Sequence, residues 1–262
     1  MLVQRTLTNS INAVGIGLHS GREISIKLLP AEEDTGIIFR RVDFSPPVEI
    51  KAIVNNVGAT TLATTLMQGE VQISTIEHML SAFAGLGIDN AIIEIDDVEV
   101  PIMDGSSSSF VFLIQSAGIK EQTKPKKFIK IKEEISVETD NGAFVKLSPY
   151  DGFKVTYSLV YDDDKHKQYS SKSTIDFNST TYLKEISRAR TFGFMEEVNM
   201  LKDKNLALGA SEKNAIAIGK DGIINEEGLR SKDEFVKHKI LDVVGDLYLL
   251  QYNIIGEFEG YK

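Results

Sequence analysis

The chain has 262 residues, 42% hydrophobic and 26% charged, enough for one large domain or two ordinary ones with real cores. A net charge of −9 and a pI near 5.1 argue against general nucleic-acid binding, which needs a basic footprint. The lack of cysteine excludes a disulfide framework, a thiolate ligand and a thiolate nucleophile.

The N-terminus carries no apolar signal-peptide core, and no stretch approaches eighteen apolar residues. The expectation is a cytoplasmic protein without membrane insertion. In chain order, Ile24-Ser25-Ile26-Lys27-Leu28 alternates with period two, as a half-buried strand does. Residues 35–40 and 48–52 look similar. A helix is predicted over 74–84, with Ser74 as N-cap, Glu77 three residues on and Gly85 as the stop. A strand at 90–95 and a helix at 107–117, ending at Gly118, complete the first half. The polar, basic, proline-broken segment 122–127 is the predicted boundary between units 1–122 and 126–262. Strands follow at 128–132, 135–138, 143–147 and 155–159, then a solvated hairpin tip at 162–167. Helices fit 182–187 and, more strongly, 234–250. Strands followed by segregated helices make the class α+β, with two units.

Two segments carry most of the chemistry: Ser74-Thr75-Ile76-Glu77-His78 and His238-Lys239-Ile240-Leu241-Asp242. On a helix, His238 and Asp242 leave the same face one turn apart. Two His and one Asp can fill three positions around a metal and leave one for water, with a neighbouring Glu as base. On the 234–250 wheel, Val236, Ile240, Val243, Val244 and Leu247 fall on one side. His238, Asp242 and Asp246 fall on the other, with Lys239 beside them. A solvent face with an ordinary ion pair accounts for that stripe as well. Ser74 and Glu77 also match a capping box. From spacing alone, the structural readings are favoured.

His19, in a glycine-rich turn, and His166, in a charge run and read as solvated, are weaker candidates. Asp104-Gly105-Ser106-Ser107-Ser108-Ser109 reads as a turn into a helix N-terminus, where capping outweighs anion binding. Ser187-Arg188-Ala189-Arg190-Thr191-Phe192-Gly193-Phe194-Met195 sets two cations and a hydroxyl against two aromatics. It reads as a substrate wall, polar at one end and greasy at the other, or as a strand end before an amphipathic helix.

Together with Gly17-Leu18-His19-Ser20-Gly21, Pro101-Ile102-Met103-Asp104-Gly105-Ser106 and Gly245-Asp246-Leu247, these segments closely resemble one family. It is the zinc-dependent UDP-3-O-acyl-N-acetylglucosamine deacetylases, and the likeness spans nearly the whole chain. Joint presence in this order is specific and reverses the structural readings above. The resemblance implies hydrolysis of the N-acetyl group of UDP-3-O-(3-hydroxyacyl)-N-acetylglucosamine, the committed step of lipid A synthesis in Gram-negative bacteria. It implies zinc held by His78, His238 and Asp242, although iron(II) suits those ligands too. Glu77 matches the general base, Thr191 the residue that steadies the oxyanion, and Asp246 a carboxylate behind the ligands. Phe192 and Lys239 match positions beside the sugar nucleotide. Phe194, Met195 and Val198 match the hydrophobic passage for the acyl chain. The implied fold is two similar α+β domains, each a β-sheet with helices on one face and the active site between the helix layers. The implied partner is the small acylated UDP-sugar alone, and nothing in the sequence demands more than a monomer.

The family continues beyond the stretch 256–262 into a Ser-Gly-His segment and a helix. Its histidine serves as a catalytic acid or electrostatic partner. The expectation is therefore a truncated form that keeps zinc, lacks the last helix and loses turnover by about 10²–10⁴-fold. A catalytically dead module that binds the acyl-sugar nucleotide is the competing reading. A different metal hydrolase on the same scaffold is a third, countered by the segment 192–198.

Overall fold

The computed structural model describes residues 2–262. Five strands come first: β1 (Val3–Leu7), β2 (Ile11–Ile16), β3 (Glu23–Pro30), β4 (Ile37–Arg41) and β5 (Val48–Lys51). The hairpin β6 (Leu66–Gln68) and β7 (Val71–Ile73) feeds α1 (Glu77–Leu86), followed by β8 (Ala91–Ile95), α2 (Ser108–Ala117) and β9 (Ile119–Pro125). Next come β10 (Phe128–Lys130), β11 (Ile135–Glu138), β12 (Phe144–Ser148), β13 (Phe153–Leu159) and β14 (Ser171–Asp176). The short α3 (Ser179–Thr181) runs into a wide helical turn at Tyr182–Ile186. The chain then forms β15 (Phe192–Phe194), α4 (Met195–Asp203), β16 (Ile216–Gly219), β17 (Gly222–Ile223), α5 (Glu234–Leu247) and β18 (Asn253–Tyr261).

The two halves repeat one topology. The first main sheet has order β2-β3-β8-β4-β5 and the second β11-β12-β18-β13-β14. In each, the last strand enters the middle, antiparallel to one neighbour (β3 or β12) and parallel to the other (β4 or β13). In each, a helix directly precedes that central strand: α1 before β8, α5 before β18. A strand inserted parallel to its neighbour needs such a crossover, and the helix covers the sheet it crosses. The protein is thus α+β, two similar domains with helices packed between the sheets.

Periodicity explains the central strands. Ile24, Ile26 and Leu28 point inward from β3, while Ile254, Gly256, Phe258 and Gly260 are the buried positions of β18. All ten residues of α1 are buried, because α5 and α2 pack against it from different sides. Phe83 and Met79 of α1 share one apolar cluster with Ile240 and Val244 of α5 and with Val155 and Phe258 of the second sheet. Among the described residues no helix is long and apolar enough to cross a membrane.

Several sequence expectations shift. The helix expected at 74–84 starts at Glu77 and ends on Gly87, whose φ of 68° suits glycine. Gly85 is no stop. It lies inside the helix against the Tyr182 ring, where a Cβ would collide with ring carbons. Residues 122–125, expected as part of the boundary, belong to β9, which pairs with β1 through residues 119–121 and Pro125. The helix expected to 250 keeps α geometry to Leu247 and tightens over Tyr248–Leu250. Strands β1 and β2, not expected from the sequence, are ordered through pairing with distant partners.

Candidate metal centre and active site

The start of α1 explains what Glu77 does not do. Ser74 is held as strand: its amide donates to Val98 O at 2.8 Å and its carbonyl accepts from Val100 N at 3.0 Å. Thr75 then adopts φ 58°, and Ile76 takes the cap position. The capping box therefore does not form. The Glu77 carboxylate instead accepts from the Thr64 amide at 3.2 Å. Thr64 also donates its hydroxyl to Asp246 at 2.8 Å, linking the two carboxylates through one residue.

On α5, His238 and Asp242 leave one face as their spacing predicts, but the face is interior. His238 is 2% exposed and His78, from α1, 4%. Their Nε2 atoms lie 3.4 and 3.5 Å from the same oxygen, Asp242 Oδ1, and the rings meet edge-on with centroids 4.9 Å apart. The three donor atoms fall within 4.8 Å of one another. A tetrahedral ion bound at about 2.0–2.1 Å spaces its ligand atoms roughly 3.3–3.4 Å apart. The His238 Nδ1 sits 3.0 Å from the Ala189 carbonyl, which can only accept, so Nδ1 carries the proton and Nε2 presents a lone pair. Asp242 Oδ1 is buried and, among the described residues, has no hydrogen-bond donor. A lone pair and an orphaned carboxylate oxygen aimed at one point fit a metal ion.

Burial, with the charges of Asp242 and Asp246, pushes the Glu77 carboxyl up to about 7 against the pull of His78. Burial pushes His238 down to about 4, favouring the neutral imidazole that a metal needs. Burial opposes the charged form of His78, but the close Asp242 carboxylate and, beyond it, Glu77 outweigh it and raise the pKa. Burial also works against ionised Asp242, yet His238, Lys239 and His78 hold its carboxyl far below the usual range. Asp246, on the open rim but crowded on its inner side, is pushed up to about 6 by desolvation and by Asp242.

The remaining predicted residues divide. Thr191 immediately precedes β15, its amide bonded to Gly105 O and its carbonyl to Ile216 N, both at 2.8 Å. Phe192 packs on Phe235 at 4.7 Å and lies 6.2 Å from the His238 ring. Lys239, at the partly exposed mouth, reaches Asp242 Oδ2 at 3.2 Å and stands 5.7 Å over Phe192. Met195 and Val198 line a mostly apolar hollow of about 300 Å³ with Gly193, Ala215, Ile216 and Ile224. Phe194 sits apart from that hollow, among Tyr161, His166 and Tyr169. The structure thus brings His78, Glu77, His238, Asp242 and Asp246 into one centre and puts the hollow on a neighbouring wall.

Two readings need correction. His166 is not simply solvated: its ring packs 4.0 Å from Phe194 and its Nδ1 meets Asp163. Arg190 is not the polar end of a substrate wall, being 1% exposed and bonded to Glu234. At the turn before α2 the Asp104 carboxylate accepts from the hydroxyls of Ser106, Ser108 and Ser109 and from Arg230, while the cap residue Ser107 makes no side-chain cap bond and donates its hydroxyl to His78 O. Thr64, the Ala189 carbonyl and Glu234 were missed altogether. Nothing local marks them, because each acts on a residue far away in the chain.

Two matching α+β halves with three metal-type donors and an adjoining high-pKa carboxylate between their helices define the class: an α+β protein with a candidate metal centre at its domain junction. The profile of the UDP-3-O-acyl N-acetylglycosamine deacetylase family matches residues 4–262, and the chain belongs to that family. It is 56% identical to the UDP-3-O-acyl-N-acetylglucosamine deacetylase of Pseudomonas entomophila (strain L48), 53% to that of Cellvibrio japonicus (strain Ueda107) and 56% to that of Methylococcus capsulatus (strain ATCC 33009 / NCIMB 11132 / Bath). Each alignment spans all 262 residues of this chain and 86% of the relative.

Proposed function

We propose that the protein removes the N-acetyl group from UDP-3-O-(3-hydroxyacyl)-N-acetylglucosamine, the deacetylation of lipid A biosynthesis, at a zinc centre held by His78, His238 and Asp242. The observation that carries this reading is the convergence of two imidazole Nε2 atoms on one buried, unpartnered oxygen of Asp242. Zinc, when bound, supplies Lewis acidity that polarises an amide carbonyl and lowers the pKa of water; iron(II) is the alternative ion.

Glu77 is the general base. Its carboxyl, near 7, matches the working pH, where a base combines enough ionised form with enough proton affinity. It takes the proton of the attacking water as the oxygen bonds to the acetamide carbon. Thr191 steadies the charge that builds on the carbonyl oxygen. Glu77 returns that proton to the nitrogen as the C–N bond breaks, which releases acetate and the amino sugar. Asp246 holds Thr64, whose amide in turn orients Glu77. Lys239 and Phe192 receive the phosphate and sugar, a point charge beside an aromatic face. Phe194, Met195 and Val198 guide the acyl chain, with the last two lining the hollow. Units 1–122 and 126–262 are the two domains, since the main sheets draw their strands from opposite sides of that boundary. A cytoplasmic monomer is the working form.

The test is acetate release from the acylated UDP-sugar by zinc-loaded protein, beside Glu77→Ala and His238→Ala. Release that disappears in both variants is expected. Release that persists unchanged in Glu77→Ala sinks the assignment of the base.

A further inference from the structure

Arg190 and Glu234 are both almost wholly buried, at 1% and 0% exposure. Arg190 Nε donates to Glu234 Oε1 at 2.9 Å and Nη2 to Glu234 Oε2 at 3.2 Å. A buried ion pair is weak evidence for stability, since apolar residues of the same volume often do as well. Its geometry is more informative. The backbone N–H of Arg190 also donates to Glu234 Oε1, at 3.1 Å. The C=O of Ala189, the other end of that same peptide group, takes the His238 Nδ1 proton at 3.0 Å.

Glu234 and His238 are four residues apart, one turn along one face of α5. They therefore grip the Ala189–Arg190 peptide by its two ends. The peptide group is planar, with N–H and C=O pointing in opposite directions. It cannot rotate to release His238 without also breaking its bond to Glu234. The Arg230 amide, donating to Glu234 Oε2 at 2.6 Å, and Gly228 O, accepting from Arg190 Nη2 at 2.7 Å, brace the same pair from behind.

We propose that Glu234, with Arg190, is a positioning residue for the metal centre: by holding the Ala189–Arg190 peptide, it keeps a carbonyl aimed at His238 Nδ1 and so fixes the ring's tautomer and direction. The inference rests on the reading of His238 as a metal ligand. The same clamp ties Thr191, the next residue, to α5, so one contact sets two parts of the site.

The deciding measurement is the tautomer of His238 in metal-free, ¹⁵N-histidine-labelled protein, read by long-range ¹H–¹⁵N correlation. Zinc affinity is measured beside it by competition with a chromophoric chelator. The wild type is expected to show the Nδ1–H form alone. Glu234→Leu, which removes the acceptor, is expected to show mixed tautomers and zinc binding weaker by about 10–100-fold, as for lost supports of metal ligands. Glu234→Asp keeps the charge but withdraws it by one methylene; it is expected to mix the tautomers less, and it decides the matter if Glu234→Leu does not fold. Glu227→Gln removes only a partner of Arg190 that is 64% exposed and is expected to change neither readout. A purely structural pair would lower the melting temperature and leave the tautomer alone. A folded Glu234→Leu, or Glu234→Asp in its place, that retains the single Nδ1–H tautomer overturns the proposal. Zinc affinity unmoved by His238→Ala breaks the ligand reading separately, because the metal-free tautomer still judges the clamp.

Discussion

Helices α4 and α5 look alike as sequences, each mixing charged and apolar residues at helical spacing, yet they end in opposite environments. α5 buries nine of its fourteen residues, including Glu234, Lys237 and His238, whereas all nine residues of α4 keep at least partial exposure. Apart from the Asp242 oxygen aimed at the candidate metal position, the buried polar side chains of α5 have partners: Glu234 has Arg190, Lys237 has Glu185 and Asp233, His238 has Ala189 O. Unpaired, such groups cost several kcal/mol, so pairing allows one arrangement and no other. The candidate metal side is therefore held by paired buried groups, whereas the wall proposed for the acyl chain rests on a helix whose charges face water.

The largest effect that separates the two walls is on turnover. Glu77→Gln is expected to lower kcat by about 10²–10⁴-fold while zinc content stays near one per chain, checked by steady-state kinetics and metal analysis. A variant with full turnover would place the base elsewhere.

The same residue makes a stability prediction. The folded pKa of Glu77 is raised from 4.5 to about 7. The stability it contributes is present in full below the unfolded value and is lost as pH rises through the folded one. In the metal-free protein, Glu77→Gln should therefore exceed the wild type by something of order 3 kcal/mol at pH 8 and lose that advantage near pH 4. Urea unfolding at the two pH values checks this; an advantage that does not change with pH would contradict it.

A third break concerns spacing between the helices. Gly245 of α5 lies against the Glu77 backbone, where an added Cβ would run into the carbonyl. Backbone cannot swing aside as a side chain can. Gly245→Ala should cost about 1–3 kcal/mol, and by parting His78 from His238 it should weaken zinc by about tenfold. Calorimetry and chelator competition measure the two effects, and unchanged zinc affinity would show that the crossing tolerates more room than its contacts suggest.

The smallest effect belongs to the wall proposed for the acyl chain. Val198→Ala enlarges the hollow beside Met195 and should shift the preferred acyl length, with kcat/KM ratios between adjacent lengths changing by about three- to tenfold. Competition between substrates of different chain length reads this directly. A shift as large as that for Glu77 would mean that α4 is held as firmly as α5.

What was readable without coordinates was the local part. Alternation marked β3, β4, β5 and β8, and a period near 3.6 marked α5. The four-residue interval placed His238 and Asp242 on one face. The order of motifs identified the family and, through it, a candidate ligand set. These follow from the sequence because each depends on neighbours along the chain or on residue chemistry. Tertiary structure decided the rest. Ser74 and Glu77 satisfy the rules of a capping box, but pairing of Ser74 with residues 98 and 100 takes the cap residue away. Gly85 has the form of a helix stop, but the Tyr182 ring fills the space where a side chain would go and the helix continues to Leu86. Arg190 carries the charge of a substrate contact, but Glu234, forty-four residues on, draws it inside. His78 joins a ligand set only because α1 packs against α5. Local propensity is worth tenths of a kcal/mol per residue, and a buried contact between distant segments is worth more, so the distant contact wins where the two conflict.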